Sequence, residues 1–176
     1  MIEYLELYNK NRVSLNKTIK RGDHINKNEY SIAVIAIIIN KKNEILLTKR
    51  STNKSMAPGL WECTAGSVQL GETSKQAIIR EIKEEIGLNI KNSEIEFQQS
   101  FIEYNDIFDV WLSVVDFNLH DISLDSNEVD DVIILHVSEL KKFIDTHNVT
   151  TSLNKILDIL QSINHISFHD SADSIP

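Results

Sequence analysis

The 176-residue chain has one cysteine, two prolines and five glycines. A lone thiol, Cys63, cannot close an internal disulfide, which argues for a reducing compartment and against a secreted, disulfide-stapled scaffold. So little Pro and Gly leaves no obvious linker and no low-complexity tract. Long apolar runs are also missing. The most apolar stretch, "IAVIAIII" (32–39), is too short to span a bilayer and too rich in β-branched residues to favour a helix. "MIEYLELYNKNR" shows no basic segment followed by an apolar one. A basic excess is absent as well: 18 Lys and Arg face 26 Asp and Glu, a net charge of −8. That balance argues against a broad nucleic-acid-binding face, which would be basic. A small anionic substrate stays compatible if something local neutralises the repulsion. The expectation is a cytoplasmic protein without a membrane or nucleic-acid partner.

Hydrophobic residues make up 41% and charged residues 25% of the chain, ordinary for a globular protein long enough to bury a core. One domain over 1–176 is expected, with an N-terminal β-ribbon (1–29), a core (30–165) and a tail (166–176). "YLELY" alternates apolar and polar residues, "NKNR" is turn chemistry, and the chain continues extended to Ile25. Residues 30–39 read as a strand buried on both faces, joined by "NKKNE" to a second strand, "ILLTKR". After a surface loop closed by Pro58-Gly59, "WECTA" reads as a short strand. Thr73 to Ile86 is the clearest helix: Thr73 and Gln76 form a capping-box pattern, and Gly87 is placed to end it. Ile78, Ile79, Ile82 and Ile86 form its apolar stripe. "EIEFQQSFIEY" and "IFDVWLSVVDF" predict two strands around a turn near Asn105-Asp106, and "DVIILHV" a further strand. A short helix capped by Ser138 and a last amphipathic helix, "SLNKILDILQSI", follow. The order predicts an α+β fold, an α/β/α sandwich with a mixed β-sheet flanked by helices.

The central helix carries an unusual load. On a helix turning about 100° per residue, Glu81, Glu84 and Glu85 share one side, away from the isoleucine stripe. Like charges at these spacings cost a few tenths of a kcal/mol per pair, and the helix C-terminus disfavours anions further. A hard divalent cation, Mg²⁺ or alternatively Mn²⁺, reverses the sign, because it takes oxygen ligands and bridges to phosphate oxygens. An acidic site for a small diphosphate substrate makes sense with such a metal between them. The plainer alternative is a solvated acidic face, in which Arg80 and Glu84 form an i, i+4 pair.

The stretch "GSVQLGETSKQAIIREIKEEIGL" (66–88) matches the signature of the Nudix hydrolases at every position: Gly, five residues, Glu, seven residues, Arg-Glu, aliphatic, any, Glu-Glu, any, Gly, aliphatic. A chance match is on the order of one in a billion per starting position. The resemblance implies a loop–helix–loop box on a mixed sheet and hydrolysis of a nucleoside diphosphate linked to another group X. It implies Glu81, Glu84 and Glu85 as metal-binding carboxylates, with the carbonyl of Ala65 or Gly66 as a further ligand. It also implies that Arg80 and Glu72 brace the loop, with Mg²⁺ as cofactor and a homodimer by family habit alone. The water-activating base varies in the family, so Glu84 or Glu85 is one candidate and Glu128 in "DSNEVDD" another, backed by Asp130 and Asp131. An acidic surface loop is the equal alternative for Glu128.

Residues 5–67 resemble the Nudix group related to isopentenyl-diphosphate isomerase. That resemblance raises a proton-shifting isomerase as an alternative, although Ala65 and Ser67 stand where the isomerase has its cysteine and histidine, and Asp106 near its glutamate. Cys63 lies two residues too early and reads as a small buried thiol. A non-catalytic nucleotide-binding regulator is the third reading, against which the intact box counts. Arg50, with Lys49 and Lys54, is a candidate for phosphate contact. Trp61 and Tyr104 are candidates for substrate stacking, beside Phe101, Phe108 and Trp111, each of which also reads as core. Arg21 and His24 reach the site only on the family layout.

Overall fold

The computed structural model describes residues 2–163, so the expected tail at 166–176 lies outside the described residues. Strand β3 (Ser31–Ile39) is buried along its whole length, as nine consecutive small or β-branched residues require when helices cover both faces of a sheet. Its alternate side chains divide between two cores. Ile35, Ile37 and Ile39 join a cluster with helices α2 (Leu140–Thr146) and α3 (Thr151–Ser162). Val34, Ala36 and Ile38 face helix α1 (Ser74–Ile86), packing with Ala77, Ile78, Ile82 and Ile86. The result is the expected mixed sheet between helical layers.

Strand β3 runs parallel to β8 (Asp106–Val114), which pairs antiparallel with β7 (Ile95–Glu103). On its other side β3 meets β4 (Glu44–Arg50) only at Ile39↔Ile45, and then the two diverge. The gap opens room for "WECTA", which is therefore not one strand. Trp61–Glu62 (β5) pairs with β4, whereas Ala65–Ser67 (β6) pairs with β3. Strand β9 (Val129–His136) closes the far side of β4. Ahead of α2, the ring Nδ1 of His136, rather than Ser138, accepts the capping N–H, which Ser138 donates at 3.3 Å.

The N-terminal ribbon, β1 (Tyr4–Tyr8) with β2 (Ser14–Lys20), forms its own two-stranded sheet and buries Leu5 and Leu7. Arg12 in its turn reaches Asp109 of β8, donating from Nη2 at 2.8 Å and pairing through Nη1, while Ser100 Oγ donates at 2.6 Å. Burial alone would raise the Asp109 carboxyl, but these donors overcome it and hold it below its ordinary 3.8. A depressed folded-state value makes the contribution complete above the unfolded value and lost as pH falls through the folded one. Asp109→Asn is therefore expected to lower stability near neutral pH by about 1–3 kcal/mol. In urea melts across pH, the variant should lose less additional stability below about pH 4 than the wild type does.

Candidate active site

Helix α1 is fixed at both ends. The Thr73 hydroxyl accepts from Gln76 N–H and the Gln76 side chain accepts from Thr73 N–H, while Gly87 takes a left-handed φ of 74° at the C-cap. The indole of Trp111 donates to Ser74 Oγ at 2.9 Å, tying the helix start to β8. Before the helix, the loop carrying Glu72 folds back on Arg80. Arg80 Nε and Nη2 each donate to Glu72 at 2.9 Å, and Nη2 also reaches the Ser67 carbonyl at 3.1 Å. Nη1 donates to Glu81 at 2.8 Å and to Glu84 at 3.0 Å. One guanidinium thus joins loop, strand β6 and helix. Arg80→Ala is expected to cost about 2–4 kcal/mol, read from the denaturant midpoint. Lys should recover only part, since an ammonium cannot make the paired contact with Glu72.

The three helix glutamates do not share one environment. Glu81 and Glu85 are buried, at 8% and 6% exposure, whereas the Glu84 side chain is 57% exposed at the edge of their arc. The isoleucine stripe is likewise narrower than expected, with Ile79 only partly buried beside it. Burial raises the Glu85 carboxyl well above the carboxylate range, and the charges of Glu62, Glu81 and Glu128 raise it further against a partial offset from Arg50. Burial raises Glu81 as well, opposed by Arg80 and Arg21.

Glu62 is the residue that sequence reasoning missed. It is buried on β5, pairs with Arg50 Nη1 at 2.6 Å, and is raised by burial. Its only local signal is a carboxylate inside a short, otherwise apolar strand. The β4–β5 register sets it opposite Thr48, and its charge acts on Glu85. Glu128 also comes close. The loop before β9 is stitched to the end of α1 by Ser123 N–H to the Ile86 carbonyl and Asp125 N–H to the Glu85 carbonyl, both 3.0 Å. Lys54 pairs with the Glu128 carboxylate, and Ser51 N–H donates to its backbone carbonyl at 2.8 Å. Asp130 instead accepts from Thr52 N–H at 2.9 Å, and Asp131 bonds the N–H of Val132.

Strand β6 forms the floor. A Cβ at Gly66 would overlap the Glu81 carboxylate, so the glycine is required by close approach. Backbone bonds from Ala36 N–H to Thr64 and from Val68 N–H to Ile32 set the alternation of the ladder. It turns Gly66 toward β3 and leaves the Ala65 carbonyl pointing away from it. The same register puts Thr64 on the α1 side with Ala36, and its hydroxyl is buried without a partner.

Other candidates lie apart from the carboxylates. Trp61 packs on the α2–α3 side, edge-on to Phe143 at 5.6 Å, with Lys49 over its ring. Tyr104 is 81% exposed in the β7–β8 turn, which is Tyr104-Asn105. Phe101 stacks on Phe108 at 5.2 Å, and Trp111 packs in the α1-side core. Cys63 is buried in the opposite core, where its thiol is raised by burial.

Among the described residues no three His, Cys, Asp or Glu side chains already stand at ligating positions around one point. The donor set nevertheless fits a hard cation: the buried carboxylates of Glu81 and Glu85, an outward carbonyl and a buried hydroxyl without a partner.

Comparisons with known proteins agree with the fold. The family model of the NUDIX domain matches residues 29–153. An uncharacterized Nudix hydrolase of Listeria innocua, lin0387, is 36% identical over 132 residues, covering 74% of this chain and 78% of its own. The crystal structure of DR0079 from Deinococcus radiodurans superposes with a TM-score of 0.75 at 21% identity, over 89% of this chain and 98% of its own. A bifunctional NMN adenylyltransferase/ADP ribose pyrophosphatase from Francisella tularensis, complexed with AMP and Mn ion, gives 0.60 at 23% identity, over 76% and 41%. The matched domain and the intact box show that this chain belongs to the Nudix family of hydrolases, which act on diphosphate-containing substrates.

Proposed function

We propose that the protein is a Mg²⁺-dependent pyrophosphatase that cleaves the diphosphate linkage of a nucleoside diphosphate joined to another group X. The observation that carries this reading is the set of buried carboxylates around Glu85, whose repulsion has no structural purpose unless a cation is bound. Glu81, Glu85 and the outward Ala65 carbonyl are the ligands favoured here, with Glu84 adding an oxygen from the exposed edge. A bound Mg²⁺ or Mn²⁺ supplies charge neutralisation at the phosphate oxygens. Glu128 takes the proton of the attacking water as the new P–O bond forms and the bridging P–O bond breaks. Arg50 meets the developing charge on the leaving phosphate from its place beside Glu62. The manganese and AMP held by the Francisella neighbour support the same class of metal and ligand.

The isomerase alternative is not favoured. The one thiol is packed in the core, and Ala65 and Ser67 supply neither the thiol nor the imidazole that chemistry needs. The test is a Mg²⁺ turnover screen covering nucleoside triphosphates, ADP-ribose, NADH, dinucleoside polyphosphates, nucleotide sugars and isopentenyl diphosphate. Two phosphorylated products, lost with EDTA, are the expected result and name the substrate class. Formation of dimethylallyl diphosphate would overturn the hydrolase.

A further inference from the structure

Among the described residues, Thr64 alone has a buried side-chain polar atom without a hydrogen-bond partner. The residue is 1% exposed, so bulk water does not reach its hydroxyl. Burial strips the hydration of such a group and returns no bond, which costs stability. Its place in the fold identifies a partner.

The chain from Glu62 to Gly66 crosses the gap between β3 and β4. It leaves β4 at Thr48↔Glu62 and joins β3 at Ile35↔Ala65 and Val34↔Gly66. Glu62, Thr64 and Gly66 all face α1. Leu46 packs on that side, so Thr48 and its partner Glu62 do too. The Thr64 carbonyl accepts from Ala36 N–H at 2.9 Å, so Thr64 shares the side of Ala36. Gly66 lies under the Glu81 carboxylate. Helix α1 crosses the same gap overhead. Its start is tied to Trp111 of β8, and its last turn receives Asp125 N–H at the Glu85 carbonyl. That loop is joined through Glu128 to Ser51, just past the end of β4. The step from Glu81 to Glu85 therefore runs the same way as the step from Gly66 to Thr64. The two steps also match in length, at about 6 Å along the helix and about 6.6 Å along the extended chain. Glu85 is thereby carried over Thr64 as Glu81 is over Gly66.

Donor and acceptor are both unused. Among the described residues the Glu85 carboxylate accepts no side-chain hydrogen bond, whereas Glu62 is held by Arg50 and Glu81 by Arg80. We propose that Thr64 is the positioning residue of Glu85: its hydroxyl donates to one carboxylate oxygen and leaves the other for the cation. A neutral donor suits this task, because it fixes the carboxylate without adding a positive charge that would repel the metal. This inference rests on the metal-dependent reading of the cluster, and the two can fail separately. Its signature is an opposition between stability and binding. Thr64→Val keeps the shape and removes a hydroxyl that burdens the metal-free fold, so it should be as stable or more so, yet bind metal worse. Thr64→Ser keeps the hydroxyl and loses a buried methyl, so it should melt lower, yet bind metal nearly as well. A residue that only packs would move both properties together.

The experiment is isothermal titration calorimetry with Mn²⁺, beside thermal melts in EDTA. The proteins are the wild type, Thr64→Val, Thr64→Ser, Glu85→Gln and the double variant Thr64→Val with Glu85→Gln. Thr64→Val is expected to weaken Mn²⁺ on the order of tenfold with no lower melting temperature, and Thr64→Ser to stay within about threefold of the wild type. On the Glu85→Gln background Thr64→Val should cost little more, since the carboxylate it serves is gone. Wild-type Mn²⁺ affinity in Thr64→Val would overturn the proposal and leave the hydroxyl to a buried water. Equal losses on the two backgrounds would also overturn it, by showing that Thr64 acts apart from Glu85. A loss in Thr64→Ser as large as that in Thr64→Val would do the same, by showing that packing and not the hydroxyl matters. Wild-type Mn²⁺ binding in Glu85→Gln would instead overturn the reading of the cluster.

Discussion

Glu85→Gln is expected to lower turnover by at least about 10²- to 10³-fold while leaving the metal-free protein as stable as the wild type, or more so. The two halves have one cause. Glu85 is 6% exposed and faces Glu62, Glu81 and Glu128, so without a cation its charge is a burden on the fold. An amide of the same shape removes that burden. On the proposed metal role it also removes an anionic ligand oxygen, and metal neutralisation of phosphate charge accounts for several kcal/mol of barrier lowering. Metal should stabilise the wild type by about 2.7 kcal/mol at a hundred times its Kd, and Glu85→Gln by much less. Glu84→Gln makes the internal comparison. Its side chain is 57% exposed and engaged with Arg80, so a smaller loss of metal-dependent stabilisation is expected there. Thermal melts with and without Mg²⁺, beside steady-state turnover, check all of these outcomes. Equal turnover in Glu85→Gln and wild type would remove the assignment.

Gly66→Ala is the second large effect, and it reaches the same carboxylates from the floor. The added methyl would occupy the place of the Glu81 carboxylate and its adjoining carbon. The obstacle is the end of a flexible side chain, not backbone, so the fold can yield by displacing Glu81. A stability loss of about 1–2 kcal/mol follows, a melting shift of a few degrees for a chain of this size. With Glu81 in its proposed role as a metal ligand, turnover should fall by about a hundredfold, because a ligand moved by an ångström no longer meets its partner. A variant that keeps full turnover would show that the contact between Gly66 and Glu81 does not matter to the chemistry.

Local patterns in the sequence were enough for most of the elements, and the elements alone did not assemble the site. Thr73, Gln76 and Gly87 mark both ends of α1 because capping is a contact between residues three or four apart. Strand β3 was equally plain, since a continuous β-branched run has no solvent face. The division among the glutamates was not legible. A helical wheel places Glu84 within 100° of Glu85 but does not say which edge of that arc the sheet will cover. "WECTA" read as one strand because nothing local announces that β3 and β4 part after a single pair. Glu62 entered the site through that divergence.

The most direct measurement is the Mn²⁺ binding isotherm of the wild type, Glu84→Gln and Glu85→Gln, followed by the loss of the free-ion electron paramagnetic resonance signal. The wild type is expected to bind Mn²⁺, with binding largely retained by Glu84→Gln and weakened at least about tenfold in Glu85→Gln, where the buried charge is gone. Indistinguishable isotherms for all three proteins would contradict that expectation, and the carboxylates around Glu85 would then need an explanation without a metal.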